Sequence, residues 1–298
     1  MTDAGVSGDV RGFRFRKLEK PEEFRQVVEV YRAIWGEGEI PTTLQRALQD
    51  NGGLVLGAFA DIHLAGFAIS LLGWDGVTLY QYSHTTAVRP EYQNHHLGFR
   101  LKAFQRDEVL KLGLAEIRWV FDPLLSRNAR LNVRLLGATP DRYHIHYYGQ
   151  MPEALNEGLE SDRLRVRWEL TSSRVEERLV GKFPTPDEDF DRWKGSTAIV
   201  ETEVGEKGLR TPSAVTEPGG SPAHLEIPFD LAAVREHEPS ALRTWRHAVR
   251  DGFRAAFDVG YRVDDFAVVT AGHERRSFYF LIPGPKGSDA GAPAARSV

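Results

Sequence analysis

Residues 53–88 leave this chain few ways to fold. Three β-rich runs, "GLVLGAF", "HLAGFAISLLG" and "VTLYQYSHTTAV", follow one another through links too short for a crossover helix, with Ala60-Asp61 in the first and Asp75-Gly76 in the second. Strands joined in this way run antiparallel. At Pro90 the β pattern stops. From Leu97 the apolar positions Leu97, Leu101, Phe104 and Val109 recur about one helical turn apart, until Gly113 supplies a stop. The meander therefore hands its last strand to a helix through the polar loop "RPEYQNHH".

The flanks extend this pattern. "FRFRKLEK" reads as a strand and "PEEFRQVVEVYRAIWG" as a helix with Pro21 at its opening; "PTTLQRALQD" is a second helix closed by Asn51-Gly52-Gly53. After Gly113 come a strand, "AEIRWVF", a helix, "SRNARLNVRLLG", with Ser126 as N-cap, and two strands, "RYHIHYYG" and "RLRVRWELT". The order βααβββαβαββ predicts an α+β fold on a mixed sheet.

Domain boundaries follow from composition. Residues 1–12 read as a flexible N-terminus, 13–172 as the first domain, and 173–222, rich in Pro, Gly, Asp, Glu and Thr with one strand-like piece "TAIVETEV", as a linker or excursion. Residues 223–283 form a C-terminal α+β region around the amphipathic "PSALRTWRHAVRDGFRAAFD", whose Leu242, Trp245, Val249, Phe253 and Phe257 share one side. Its order of strand, helix, strand, strand resembles residues 117–168; a degenerate internal copy and generic α+β patterning both account for that. Residues 284–298 read as a disordered tail.

A formal net charge of −4 gives no electrostatic basis for a nucleic-acid partner. The absence of cysteine excludes disulfides, thiolate nucleophiles and cysteine-held zinc. With no signal-like or membrane-length apolar run, the expectation is a cytoplasmic protein without membrane or nucleic-acid partners, acting on a small molecule. The sequence leaves oligomeric state open.

A helix start carries unpaired N–H groups and the positive end of a dipole, so it receives anions well. In "QNHHLG" the donors are the amides of Asn94, His95, His96, Leu97 and Gly98. They suit a diphosphate; an ordinary turn holding water is the other reading.

"VRPEYQNHHLGFRLK", between the fourth strand and third helix, resembles the acyl-CoA-binding signature of the GNAT superfamily of N-acyltransferases. Val88, Pro90, Tyr92, Gln93 and Gly98 fall on that signature, whereas His96 stands where the family has its first glycine. "FDPLLSRNARLNVRLLGA" resembles the family's second signature, with Asn128 matching the residue that reaches the pantetheine arm. Shorter stretches, among them "YYGQM" and "DRLRVRWEL", resemble an uncharacterised longer GNAT subgroup with an extra C-terminal region containing Ile227-Pro228, Trp245-Arg246 and Gly260-Tyr261.

The resemblance implies a GNAT-like core, an acyl-CoA co-substrate (acetyl-CoA by default, with a larger acyl group such as succinyl as the alternative) and direct transfer to a small amine or amino acid. The cofactor residues it implies are Thr86, Ala87 and Val88 near a bulge in the fourth strand, Gln93 through Phe99 at the helix start, and Asn128. A catalytically weak or inactive acyl-CoA-binding module is the alternative, because His96 departs from the pattern and Val133 occupies the position of the family's usual tyrosine acid.

Acyl transfer needs a base for the amine, donors for the oxyanion and a proton for the thiolate. His84 is the candidate base, its ordinary pKa near 6.5 suiting the task, and arylalkylamine N-acetyltransferases carry a histidine at the matching position; a strand histidine satisfied by neighbours is the other reading. Period-two alternation puts Tyr82, His84 and Thr86 on one face if no bulge intervenes. Tyr143, Tyr147 or Tyr148 would substitute as the acid, or water would. Asp122, beside Pro123, either attracts the substrate ammonium or shapes the turn. Arg127, Arg130 and Arg134 fit either a carboxylated acceptor or a solvated face. His144 and His146 lack a carboxylate partner, so no metal is expected.

Overall fold

The structure is a computed structural model and describes residues 12–284 apart from 37, 94, 150–158, 206 and 220–221. Expectations placed on residues 1–11 and 285–298 lie outside the described residues. The first half reads β1 (Arg14–Lys17), α1 (Pro21–Trp35), α2 (Thr42–Asp50), β2 (Leu54–Ala60), β3 (His63–Trp74), β4 (Leu79–Val88), α3 (Leu97–Lys111), β5 (Glu116–Phe121), α4 (Ser126–Ala129), β6 (Thr139–His144) and β7 (Arg163–Glu169). This is the element order predicted from periodicity.

These strands form one sheet in the order β1-β2-β3-β4-β5-β7-β6. The meander is antiparallel, and β4 with β5 is its parallel pair because α3 carries the chain back across the sheet between them. Phe24, Val27 and Val30 of α1 pack on one face with Val55, Phe67 and Ile69. Leu97, Leu101 and Phe104 of α3 pack on the other with Leu56, Ala68 and Trp119. With both faces covered, β2 and most of β3 are buried at nearly every position.

Two expectations change here. "RYHIHYYG" is not one strand: β6 ends at His144 and the chain turns through His146, whose φ is +52°, so Tyr147 and Tyr148 lie in a turn. The helix from Ser126 keeps α geometry only to Ala129 and widens into a π-type turn over Arg130–Leu135.

Residues 173–222 are not a linker. They contain α5 (Ser173–Leu179), α6 (Pro186–Lys194), β8 (Thr197–Val204) and β9 (Arg210–Val215). With β10 (Ala223–Ile227), α7 (Leu231–His237), α8 (Pro239–Asp258), β11 (Tyr261–Ala271) and β12 (Glu274–Pro283) they build a second sheet, ordered β11-β12-β10-β8-β9. Polar composition hid these elements because Arg134, Arg178, Asp189 and Asp265 are buried as a paired network rather than exposed. Asp265 accepts from Arg134 and Arg178 at 2.7 Å each, and Asp189 accepts from Arg134.

The internal resemblance has a topological counterpart. In β5-α4-β6-β7 and in β10-α8-β11-β12 alike, the last strand lies antiparallel between the first two. The two halves share one core: Trp245, Val249 and Phe253 of α8 belong to the same buried cluster as Trp119 and Trp168.

Candidate active site

β4 and β5 pair over only two positions, Gln81 with Ile117 and Tyr82 with Arg118. Beyond Tyr82 the strands part, leaving a wedge whose mouth is the start of α3. A cavity of about 610 Å³ occupies it. One wall is β4 from Ser83 to Val88, the other is Trp119, Val120 and Phe121 of β5; Asn128, Arg130, Leu131 and Asn132 and the end of α1, Ile34 and Trp35, add to the lining.

The irregularity in β4 sits at His84. Ser83 lies opposite Ser70 and Thr85 opposite Ile69, so His84 is an extra residue without a cross-strand partner. A bulge of this kind takes backbone groups out of the ladder and re-aims side chains. The expected bulge lay further on, around residues 86–88. The displacement matters, because it breaks the alternation that would have put Tyr82, His84 and Thr86 on one face. His84 and Thr86 line the cavity and Tyr82 does not. Crowding by the walls disfavours the imidazolium and lowers the His84 pKa below the ordinary histidine value.

The helix mouth has the conformation the histidine substitution demands. His96 is the residue before α3 and adopts left-handed backbone, φ +54° and ψ +21°. Glycine reaches this region at no cost, and histidine tolerates it better than bulkier residues do. His96, Leu97, Gly98 and Phe99 line the cavity together with Gln93, whose carbonyl contacts the His95 ring at 2.9 Å. That contact turns His95 away: it is exposed and is not part of the lining. Asn94 lies outside the described residues. Thr86, Ala87, Val88 and Asn128 are part of the lining.

Three expected participants are engaged elsewhere. Asp122 is buried and its two oxygens accept from Arg246 at 2.9 and 2.6 Å, so it is not available to attract an ammonium. Tyr143 donates to Asp162 at 2.9 Å, and Arg250 grips the same carboxylate; burial holds the phenol well above its usual pKa. Tyr82 is also pushed up by burial, and its hydroxyl meets those of Tyr147 and Tyr148. Tyr82 and Tyr147 thus come together, apart from Tyr143. Arg134 belongs to the buried network, whereas Arg127 and Arg130 line the cavity. Val133 is fully buried. Among the described residues no three His, Cys, Asp or Glu side chains are grouped to hold a metal, and no helix is long and apolar enough to cross a membrane.

The residue that sequence reasoning passed over is Lys102. It belongs to the cavity lining, and its buried ammonium nitrogen donates to Ser83 Oγ at 3.0 Å and Gln105 Oε1 at 2.8 Å, over the Trp119 ring at 3.8 Å. Burial lowers its pKa to about 7.

No family model matches the chain, and no curated protein matches it. Among solved structures it is similar to the ribosomal-protein-S18-alanine N-acetyltransferase from Escherichia coli, at 19% identity over 54% of this chain and 96% of that one, TM-score 0.44. It is similar also to an acetyltransferase of the GNAT family from Streptococcus pneumoniae (15% identity, 52% and 98% coverage, TM-score 0.44) and to a chain of a NatC complex bound to Gag peptide and CoA (16%, 53% and 99%, TM-score 0.44). At these identities the likeness concerns fold alone.

The N-terminal half has the α+β fold on a mixed sheet that its sequence predicts.

Among the described residues, the second half of the chain adds none to the lining of this cavity. It packs behind β5, β7 and β6, through Arg246 on Asp122 and Arg250 on Asp162. It covers the strands that form one side of the cavity.

Proposed function

We propose that this chain is an acyl-CoA-dependent N-acyltransferase that moves an acyl group by direct attack onto a small amine or amino acid. The observation that carries the reading is the alignment, along one wedge, of the α3 start, the parted β4 and β5 strands and the His84 bulge.

The amides from His95 to Gly98 hold the diphosphate, and the pantetheine arm follows the wedge, with Asn128 beside it. Backbone donors freed at the β4 bulge face the thioester carbonyl and stabilise the oxyanion that forms when the amine attacks. His84, neutral near pH 7 because its pKa is lowered, accepts the proton of the attacking amine. Collapse of the tetrahedral intermediate breaks the C–S bond, and the thiolate takes its proton from water, since no phenol stands at residue 133. In this reading the activity is cytoplasmic and needs no metal.

Calorimetry with free CoA and acetyl-CoA tests the binding step. A thiol-release screen of acyl-CoAs against amines and amino acids tests the transfer. Micromolar binding with turnover that His84→Gln removes supports the reading. Binding without turnover for any acceptor replaces it with the acyl-CoA-binding module, and no binding rejects both.

A further inference from the structure

Every buried arginine among the described residues has a carboxylate. Arg118 pairs with Glu116 and Asp75, Arg134 with Asp189 and Asp265, Arg163 and Arg246 with Asp122, and Arg178 with Asp265. Lys102 breaks this pattern. It is as buried as they are, yet its partners are a hydroxyl, an amide oxygen and the faces of Trp119 and Trp168, all uncharged. Among the described residues no carboxylate pairs with it. Beside it lies an unsatisfied donor: Gln105 is fully buried, its oxygen accepts from Lys102 and Ser83, and its Nε2 has no hydrogen-bond partner among the described residues. Leaving such groups unpaired in a dry site costs free energy that an apolar pair of the same size would not.

The position of the pair says what would complete it. Ser83 and Trp119 are the first residues past the last β4–β5 pairs, so Lys102, held between them, lies at the closed end of the wedge whose open end is the α3 start. A thioester that enters with its diphosphate at the mouth brings the far end of its acyl chain to this apex. Resting on the acyl-CoA reading above, we infer that Lys102 and Gln105 select the acyl group, and that the donor is the CoA thioester of a short dicarboxylic acid of the malonyl or succinyl class, its free carboxylate pairing with the Lys102 ammonium. The apolar walls of Trp119 and Phe121 suit the methylenes, and the carboxylate supplies the counter-charge that the protein omits.

The charge balance gives a readout that packing alone does not. Lys102 is largely unprotonated above pH 7 without a counter-charge, and a carboxylate against it raises its proton affinity. Dicarboxylyl-CoA binding at pH 8 therefore takes up protons. The other titratable groups facing the cavity are His84 on β4, Tyr92 and His96 before α3, and Arg127 and Arg130 after β5. They face acetyl-CoA and succinyl-CoA alike, so the difference between the two ligands isolates the apex.

The experiment is calorimetry of CoA, acetyl-CoA and succinyl-CoA at pH 8 in two buffers of different ionisation enthalpy, with kcat/KM for both donors. The wild-type chain should prefer succinyl-CoA at least tenfold and take up about half a proton or more beyond acetyl-CoA. Lys102→Met should abolish the excess uptake and the preference, and Gln105→Leu, which keeps the lysine, should reduce the preference severalfold. Equal affinity and equal uptake for the two donors in a wild-type protein that binds CoA overturns this inference and leaves the acyl-CoA reading intact. Failure to bind any of the three, free CoA included, overturns that reading and this one with it.

Discussion

Arg246 of α8 donates to both oxygens of Asp122 at the end of β5, at 2.9 and 2.6 Å, with both side chains buried. One contact thus ties the C-terminal helix to the strand that carries one wall of the wedge. Removing one partner of a buried pair strands the other charge, which typically costs about 3–5 kcal/mol. Arg246→Leu should lose stability of that order in urea unfolding, while Asp122→Leu with Arg246→Leu should recover at least half of it. A loss under about 1 kcal/mol in the single variant would mean that the pair does not hold the halves together.

His84 carries a pH dependence whose direction is fixed. Desolvation lowers its pKa, so the neutral form required of a base persists below the usual histidine value of about 6.5. The rate, as kcat/KM, should be flat near neutrality and fall as pH drops through this lowered pKa, and His84→Gln should lose roughly 10²–10³-fold in kcat. A profile unchanged in His84→Gln would remove the residue from the proton transfer.

At the mouth of the wedge, His96 holds φ +54°, a region that costs a side-chain-bearing residue about 1–2 kcal/mol. Glycine would relieve that strain and give back part of the gain through the unfolded chain's freedom. His96→Gly should raise stability by about 0.5–1 kcal/mol in denaturant titration. Destabilisation instead would show that the imidazole makes contacts worth more than the strain.

Lys102 links stability to pH. Its folded pKa of about 7 lies below the unfolded value near 10.4, so the unfolded chain binds the extra proton between these limits and stability rises with pH across that window. The destabilisation is present in full below pH 7 and has vanished above pH 10.4. Lys102→Met should therefore raise Tm, by several degrees at pH 6 and by little at pH 9.5. An increment independent of pH would mean that the amine is not desolvated as its burial implies.

How much of this was legible in the sequence depends on whether the signal was local. The meander, α1, α3 and α8 announced themselves because apolar periodicity is set by which side of each element meets a core. The helix mouth was legible in "QNHHLG" for the same local reason. Lys102 was not: α3 is buried over a broad arc, and Lys102 with Gln105 forms a polar row three residues apart beside the apolar row of Leu101 and Phe104. Only such a polar pair on a helix covered on two sides would have signalled it.

Residues 173–222 failed the sequence reading through the same cause in reverse. Asp189 and Arg178 look solvated in the sequence, and their burial depends on Arg134 and Asp265 arriving from distant parts of the chain.

By itself the sequence determined the order of elements, the antiparallel meander and the polar loop that opens α3, since each follows from the chemistry of neighbouring residues. The tertiary structure alone decided that β4 bulges at His84, that Asp122 and Tyr143 are taken by partners, and that a lysine with no carboxylate partner among the described residues lies beside the wedge. Those outcomes depend on which charges and strands meet across large sequence separations, and no local pattern encodes that.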